Sequence, residues 1–96
     1  MNLEFSPQAR LDLIGILRFL SADKPGAATR FVNELVKRCN LVARFPQVGT
    51  SRDDLIPSLR VFVYRGYGIY FRTLDELVRI ERVLSPGLDI SSQKFD

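Results

Sequence analysis

The stretch LRVFVYRGYGIYFRTLDELVRIERVL, residues 59–84, predicts three consecutive antiparallel strands. Its first run is mostly β-branched or aromatic, the turn signal Arg65-Gly66 ends that run, and apolar alternation then resumes. The segment from Thr73 to Glu76 interrupts the alternation with two acids before a third apolar run. Because such short connections keep the strands adjacent, they form a meander that is stable only with one face covered by apolar groups. We expect strands at residues 60–64, 67–72 and 77–84.

The segment before the meander predicts a short strand and a first helix. Asn2–Phe5 alternates apolar and polar residues, which indicates a strand that pairs at the edge of the meander. Ser6-Pro7 is typical of a helix start, with serine as N-cap and proline at the first helical position. Apolar residues then recur every three or four positions and form one stripe: Ala9, Leu13, Ile16, Leu17 and Leu20.

A second helix follows after the short link at residues 21–26. Pro25 opens it, and it ends by about Arg44 because Pro46 biases Phe45 away from helical angles. Its apolar stripe consists of Ala27, Ala28, Phe31, Val32, Leu35, Val36, Cys39 and Val42. Two helices joined by so short a link form an antiparallel hairpin whose stripes face the sheet. The predicted fold class is therefore α+β: an N-terminal strand and a two-helix hairpin packed on a mostly antiparallel sheet with a C-terminal three-strand meander.

Length and composition predict a single folded domain over residues 1–96. Hydrophobic residues make up 46% of the chain and charged residues 26%, close to the average of globular domains, which argues against wholesale disorder. The single cysteine, Cys39, forms no internal disulfide, and we find neither an N-terminal targeting signal nor a long apolar run. Together these features predict a cytoplasmic protein.

Arginine is concentrated in the predicted meander. The whole chain has 14 basic and 11 acidic residues, and a net charge of +3 is too small by itself to indicate nucleic-acid binding. The planar fork of arginine suits carboxylate or phosphate partners, so we expect a positive sheet face that binds one; the alternative is a solvated face. The meander arginines are Arg60, Arg65, Arg72, Arg79 and Arg82, against the acids Asp75, Glu76 and Glu81.

Residues for most catalytic chemistries are missing. The chain has no histidine, which excludes a Ser-His-Asp triad, a Cys-His pair and the usual zinc sites. Cys39 lies on the apolar stripe of the second helix, where a core thiol is expected. The adjacent acids at 53–54 and 75–76 lack the ligand spacing of a calcium loop. We therefore expect no metal and no cofactor.

One enzymatic possibility remains, the cleavage of RNA by arginines. Guanidinium groups could stabilise a pentacoordinate phosphate while a lysine or tyrosine moves the proton. No tyrosine follows Tyr70, so a proton-transfer residue is missing near the end of the last strand. The candidate arginines are Arg52, Arg60, Arg65 and Arg82.

Particular residues, in the order strand, helix hairpin and meander, resemble the RelE/ParE superfamily of bacterial toxins. The resemblance spans about residues 3 to 84, and its specificity comes from order and spacing. The matching residues are Ser6, Ala9, Asp12, Leu13 and Ile16 in the first helix, Pro25, Ala27, Ala28, Phe31 and Leu35 in the second, Phe45, Pro46, Gly49 and Arg52 in the following loop, and Leu59, Arg60, Tyr67, Ile69, Phe71, Val78, Ile80, Arg82, Val83 and Leu84 in the meander.

The resemblance implies one of two activities. RelE-like members are ribosome-dependent mRNA endonucleases, whereas ParE-like members poison DNA gyrase without cleaving RNA. Many relatives carry a histidine where this chain has Ser85, and that departure favours the ParE-like activity, with growth arrest and plasmid stabilisation as its outcome. No residue is then catalytic; under the RelE-like alternative the catalytic residues are Arg52, Arg60 and Arg82. A third possibility is an inactive relative that only binds an antitoxin.

The resemblance also implies a protein partner, an antitoxin whose disordered C-terminal segment folds onto the toxin to form a hetero-oligomer. We expect this antitoxin to be acidic and partly helical, complementing the arginines of the sheet. The partner-binding residues are expected to be Arg60, Arg65, Arg82 and Leu88, the last of them in a short tail from Leu88 to Asp96.

Overall fold

The computed structural model describes residues 1–95, which form two helices and five strands. Asp96, the last residue of the predicted tail, lies outside the described residues. Neither of the described helices combines the length and the apolar character that crossing a membrane requires. The elements are β1 (Asn2–Phe5), α1 (Pro7–Ser21), α2 (Pro25–Arg44), β2 (Thr50–Ser51), β3 (Arg60–Tyr64), β4 (Tyr67–Leu74) and β5 (Leu77–Leu84), followed by a 3₁₀ turn at Ile90–Ser92.

The five strands form one sheet in the order β1-β5-β4-β3-β2. β3, β4 and β5 pair antiparallel with their sequence neighbours, which confirms the predicted meander. β1 pairs with β5 at the predicted edge, and it runs parallel to β5 with Asn2 opposite Leu77 and Phe5 opposite Ile80. The two-helix hairpin and mostly antiparallel sheet confirm the predicted α+β class.

The strands differ from the sequence-based prediction in two respects: β2 is an additional strand, and β4 is longer than predicted. β2 lies inside the segment predicted as a loop; it spans only Thr50–Ser51, too short for any alternation to show in the sequence. β4 continues through Leu74 because the turn to β5 needs only Asp75 and Glu76, with Asp75 at the left-handed φ of 53°. The break in the apolar pattern therefore placed the predicted end of this strand two residues too early.

Ser6 connects the start of α1 to the sheet. Its hydroxyl accepts a hydrogen bond from the Ala9 backbone N–H at 3.0 Å, which is the predicted N-cap. The same hydroxyl donates to the carbonyl oxygen of Glu81 at 2.7 Å, and the Ser6 backbone N–H donates to the carbonyl oxygen of Ile80 at 2.9 Å. The helix therefore begins at a fixed position beside β5.

Apolar clusters cover both faces of the sheet. The main cluster lies between the sheet and the helix stripes, and its buried members include Leu35, Cys39, Ile69, Phe71 and Ile80. Alternation along β4 turns Tyr70 to the opposite face. There a second cluster consists of Leu59, Val61, Tyr70 and Leu84, packed against Leu55 and Ile56 of the loop and Ile90 and Phe95 of the tail. The two helices cover one face of the sheet, as predicted. The loop and the tail cover part of the other face.

The Cys39 thiol is expected to resist modification in the folded protein. Burial raises its pKa from 9.0 to about 12. Since the folded-state pKa is the higher one, this contribution to stability is complete below pH 9 and is lost as the pH rises towards 12. Chemical unfolding of the wild type and Cys39→Ala across this range should show a steeper alkaline loss in the wild type. Rapid labelling of native Cys39 by a thiol reagent at neutral pH would contradict this burial.

Candidate functional site

Tyr70 lies at the centre of the sheet face that points away from the helices. Its neighbours Ile69 and Phe71 belong to the main core, whereas Tyr70 belongs to the second cluster. The ring of Phe95 packs on it with 5.2 Å between ring centroids, and only 5% of Tyr70 is exposed. The tail therefore covers the middle of this face.

Arg52, one of the candidate catalytic arginines, pairs with Asp54. Its Nε and Nη2 donate to the two Asp54 carboxylate oxygens at 3.0 and 2.9 Å. This bidentate contact raises the pKa of Arg52 and lowers that of Asp54. Burial raises the pKa of Tyr70 despite the opposing effect of the nearby Arg52 cation. The shift favours the protonated form of the phenol.

Arg60 fastens the loop that follows α2. Its guanidinium donates to the backbone carbonyl oxygens of Gln47 at 2.8 Å, Val48 at 3.3 Å and Gly49 at 2.9 Å. Gly49 has φ of 85°, and a Cβ there would lie 2.2 Å from the Val61 carbonyl oxygen, so this position in the loop requires glycine. Arg60 thus has a structural role, which is to hold this loop against β3.

Arg82 joins β5 to α1 and to the tail. Its Nε and Nη2 donate to the Asp12 carboxylate at 2.8 and 2.9 Å, and its Nη1 donates to the Lys94 carbonyl oxygen at 3.1 Å. The Val83 backbone N–H also donates to Asp12, at 2.9 Å. Because β1 ends at Phe5, it does not pair with β5 as far as Val83. The Asp12 carboxylate accepts the hydrogen bond of the Val83 N–H in place of a neighbouring strand. No local pattern in the sequence indicates this role of Asp12, since the two partners lie 70 residues apart.

Glu81 is a buried acid at an irregularity of the β4–β5 ladder. Tyr70 pairs with Arg82 and Phe71 with Ile80, so Glu81 has no residue opposite it. Its side chain is fully buried and accepts from Arg72 Nε at 2.8 Å and Arg79 Nε at 3.3 Å. Arg79 also pairs with Glu4 of β1 at 3.2 Å. Only the acid itself is visible in the sequence; its partners are brought to it by the pairing of β4 with β5 and of β1 with β5.

These contacts largely compensate the positive sheet face that the sequence predicts. Arg72, Arg79 and Arg82 each face carboxylates of the same chain, and Arg60 faces backbone carbonyls. Arg65 differs because it lies in the exposed β3–β4 turn, with its guanidinium carbon 5.6 Å from the centre of the Tyr64 ring. The positive charge that the meander offers to a partner is therefore centred on Arg65.

The outer face of α1 exposes large apolar side chains. Leu11 is 62% exposed, Ile14 46% and Phe19 79%, and we call these three residues the α1 patch. They lie off the stripe that packs on the sheet, and a second set of apolar residues at helical spacing is the signal that the sequence offered for them. Contiguous exposed apolar groups are more common on surfaces that bind another molecule than on other surfaces.

Two hollows flank Phe19 and contain three of the four predicted partner-binding residues. The first hollow lies over the link between the helices and contains Arg65; the second lies beside β5 and contains Arg82 and Leu88. Phe19 and Tyr67 line both. Arg60 lines neither, since it is engaged with the loop carbonyls.

Metal chemistry has no obvious location in the part of the chain that the structure describes. No group of three or more cysteine, aspartate or glutamate side chains within residues 1–95 is arranged to hold a metal ion. Asp12, Asp54 and Glu81 each accept hydrogen bonds from arginine instead.

Comparison with known proteins gives one family. Residues 3–87 match the family model described as the ParE toxin of the type II toxin-antitoxin system parDE. The toxin RelE3 of Caulobacter vibrioides is 29% identical over 83 residues, which cover 85% of this chain and 90% of that protein. A solved structure titled as the chromosomal ParDE TA system from P. aeruginosa has a TM-score of 0.79 at 20% identity, covering 90% of this chain and 96% of that one. The structural likeness confirms the predicted fold.

Proposed function

Because the chain belongs to the ParE toxin family of type II toxin-antitoxin systems, we propose that it arrests growth by inhibiting DNA gyrase until a cognate antitoxin binds it. The observation that carries the choice of gyrase is the state of Tyr70. This tyrosine belongs to the second apolar cluster, lies beneath the ring of Phe95 and is only 5% exposed, so the folded protein does not present its phenol to a substrate. A protein without a positioned proton-transfer group acts more readily by binding than by cutting RNA.

The rate enhancement that a proton-transfer group would supply is large, and its loss supports gyrase over RNA cleavage. General acid or base catalysis contributes about 10²- to 10⁴-fold to a reaction rate. The carboxylates near the same face, Asp12, Asp54 and Glu81, are held by arginines and do not replace a histidine. Arginines alone would therefore leave RNA cleavage slow. A binding mechanism needs no such group, and the exposed α1 patch provides apolar surface for one.

Ribosome-dependent mRNA cleavage is the second candidate, and one observation favours it. Arg82 is the register partner of Tyr70, and Arg52 acts electrostatically on the same phenol, so two of the candidate arginines converge on this tyrosine. The third, Arg60, is occupied by the loop carbonyls. On this reading the tail would have to leave before RNA could approach. The matched variant Tyr70→Phe separates the two candidates, since it removes only the hydroxyl.

Expression in a bacterial host tests the proposal. Induction of the chain should stop growth and cause chromosomal double-strand breaks, and co-expression of a small acidic protein encoded in the neighbouring reading frame should restore growth. Tyr70→Phe should be as toxic as the wild type, because binding to gyrase does not need the phenol. Growth arrest with fragmented mRNA, intact chromosomes and loss of toxicity in Tyr70→Phe would instead favour the ribosome-dependent nuclease.

A further inference from the structure

Three basic side chains on α2 keep their charge available to a partner. Arg30, Lys37 and Arg44 are exposed, and we call these three residues the α2 stripe. Neither Arg30 nor Arg44 belongs to the ion pairs found within residues 1–95. Lys37 contacts Glu34 at 3.6 Å, but these side chains are 72% and 40% exposed, and so exposed a pair neutralises little. The stripe therefore differs from the meander arginines, which face carboxylates of their own chain.

The α2 stripe is straight. Its members follow one another at intervals of seven residues, which is close to two helical turns, so they lie in one line along α2. At a rise of about 1.5 Å per residue, neighbouring members are about 10.5 Å apart along the helix and the whole stripe is about 21 Å long. This line lies on the side of α2 opposite the buried Leu35 and Cys39. The helix thus presents a regular row of cations to solvent.

The gaps in the row contain polar side chains. Asn33 and Asn40 are exposed, and each lies three residues after one cation and four before the next. One N–H of the Asn40 amide donates to the Val36 carbonyl oxygen at 3.1 Å, which leaves its second N–H as a donor. None of the large apolar side chains found exposed within residues 1–95 lies on α2. Protein interfaces depend on such anchors, so this face suits a partner bound through charge and hydrogen bonds.

Duplex DNA matches the spacing of the row. The major groove is about 12 Å wide, close to the interval between neighbouring cations of the α2 stripe. When α2 lies across the groove, Arg30 and Lys37 therefore reach phosphates of opposite strands. Arginine, lysine and asparagine are all common donors to DNA phosphate oxygens. Single-stranded RNA fits less well, because proteins bind it by stacking bases on exposed aromatic rings, and Phe31, the one aromatic residue of α2, packs against the main core.

We infer that the outer face of α2 is a binding surface for the backbone of duplex DNA, which the α2 stripe contacts without regard to base sequence. This inference deepens the proposed function and rests on it for the source of the partner, the DNA that gyrase holds. Non-specific contacts of this kind are weak alone, with dissociation constants of about 10⁻⁴ to 10⁻⁶ M at physiological salt. They become effective once the toxin is held on gyrase, because a second contact within one assembly forms at a high effective concentration.

Two matched double variants test this surface by fluorescence anisotropy with a labelled DNA duplex of mixed sequence. Arg30→Gln with Lys37→Gln, the stripe variant, removes two cations from α2. Arg10→Gln with Arg18→Gln, the control, removes two exposed cations from α1, so both proteins lose two units of a net charge of +3. At about 0.1 M salt, the stripe variant should bind about tenfold to a hundredfold more weakly than the wild type. The slope of log affinity against log salt should also be smaller by about 2.

The control should bind the duplex with nearly the affinity and salt dependence of the wild type. Both variants should melt close to the wild type, because glutamine has a helix propensity similar to those of arginine and lysine. An equal loss of affinity in the stripe variant and the control would show that net charge, and not the α2 stripe, determines binding, and would overturn the inference. Tighter binding of the wild type to single-stranded RNA of the same length would overturn the choice of duplex DNA.

A gyrase reaction separates this inference from the function on which it rests. The stripe variant should need about tenfold more protein than the control to trap the same amount of double-strand breaks. If the wild type binds the duplex through the stripe but leaves gyrase unaffected, the surface stands and the proposed function is wrong. If the wild type inhibits gyrase and the stripe variant is as potent as the control, the function stands and the surface is wrong.

Discussion

Leu35→Ala is expected to lower the free energy of unfolding by about 2 to 5 kcal/mol. Leu35 lies in the middle of α2, is fully buried and belongs to the main core between the helices and the sheet. Removing most of its side chain loses apolar burial and leaves a cavity that a closely packed core cannot fill. Since small domains have only about 5 to 15 kcal/mol of stability, a substantial fraction of the chain should be unfolded in mild denaturant.

Urea unfolding followed by circular dichroism measures this loss. Leu11→Ala is the matched control, since it makes the same change on α1 at a side chain that is mostly exposed. It should alter the free energy of unfolding by about 0.5 kcal/mol or less. An unchanged midpoint for Leu35→Ala, or an equal loss in both variants, would show that the helix hairpin does not cover the sheet as described.

Glu81→Ala should cost about 2 to 4 kcal/mol, the second large effect. The buried carboxylate neutralises Arg72 and Arg79, and its removal leaves two guanidinium groups without this charge. The expected cost lies below that of a fully buried pair because the side chains of Arg72 and Arg79 are 23% and 27% exposed. Water can therefore replace part of the lost interaction.

Glu4→Ala provides the comparison for Glu81. Glu4 also pairs with Arg79, at 3.2 Å, but its side chain is 47% exposed. Exposed ion pairs contribute about 0 to 1 kcal/mol, so this variant should unfold close to the wild type. Thermal unfolding of the three proteins at one salt concentration gives the comparison. If Glu81→Ala were as stable as Glu4→Ala, the buried network would have no part in holding β4 to β5.

Local signals in the sequence predicted most of the fold. The cap at Ser6, the prolines that open both helices and the apolar stripes predicted α1 and α2, and alternation predicted β3 and β5. These features predict structure well because caps, helix-opening prolines and apolar periodicity depend only on residues that are close in the sequence. The parallel direction of β1 and the pairing of β2 depend on residues far along the chain, and two-residue β2 has too little pattern to detect.

The candidate site likewise contains some residues that could be predicted from the sequence and others that depend on long-range pairing. Arg65 and Leu88 were predicted from charge and from position in the tail, and both line hollows beside Phe19. The links between Asp12 and Arg82, and between Glu81 and its arginines, arise from long-range pairing and from an irregular ladder that a single sequence does not reveal. Phe19 could not be predicted as a surface residue of interest because the core-facing stripe is the stronger apolar pattern in α1, and Phe19 lies on the opposite side of the helix.

Direct comparison of gyrase and ribosomes tests the central claim. The purified chain is added to DNA gyrase with ATP and plasmid DNA and, separately, to translating ribosomes, each with and without the antitoxin. We expect trapped double-strand breaks or lost supercoiling in the first reaction, prevented by the antitoxin, and no mRNA fragments in the second. Tyr70→Phe should behave as the wild type does. Fragments at codon-defined positions together with unaffected gyrase would contradict the account and return Arg52, Arg60 and Arg82 to consideration as catalytic residues.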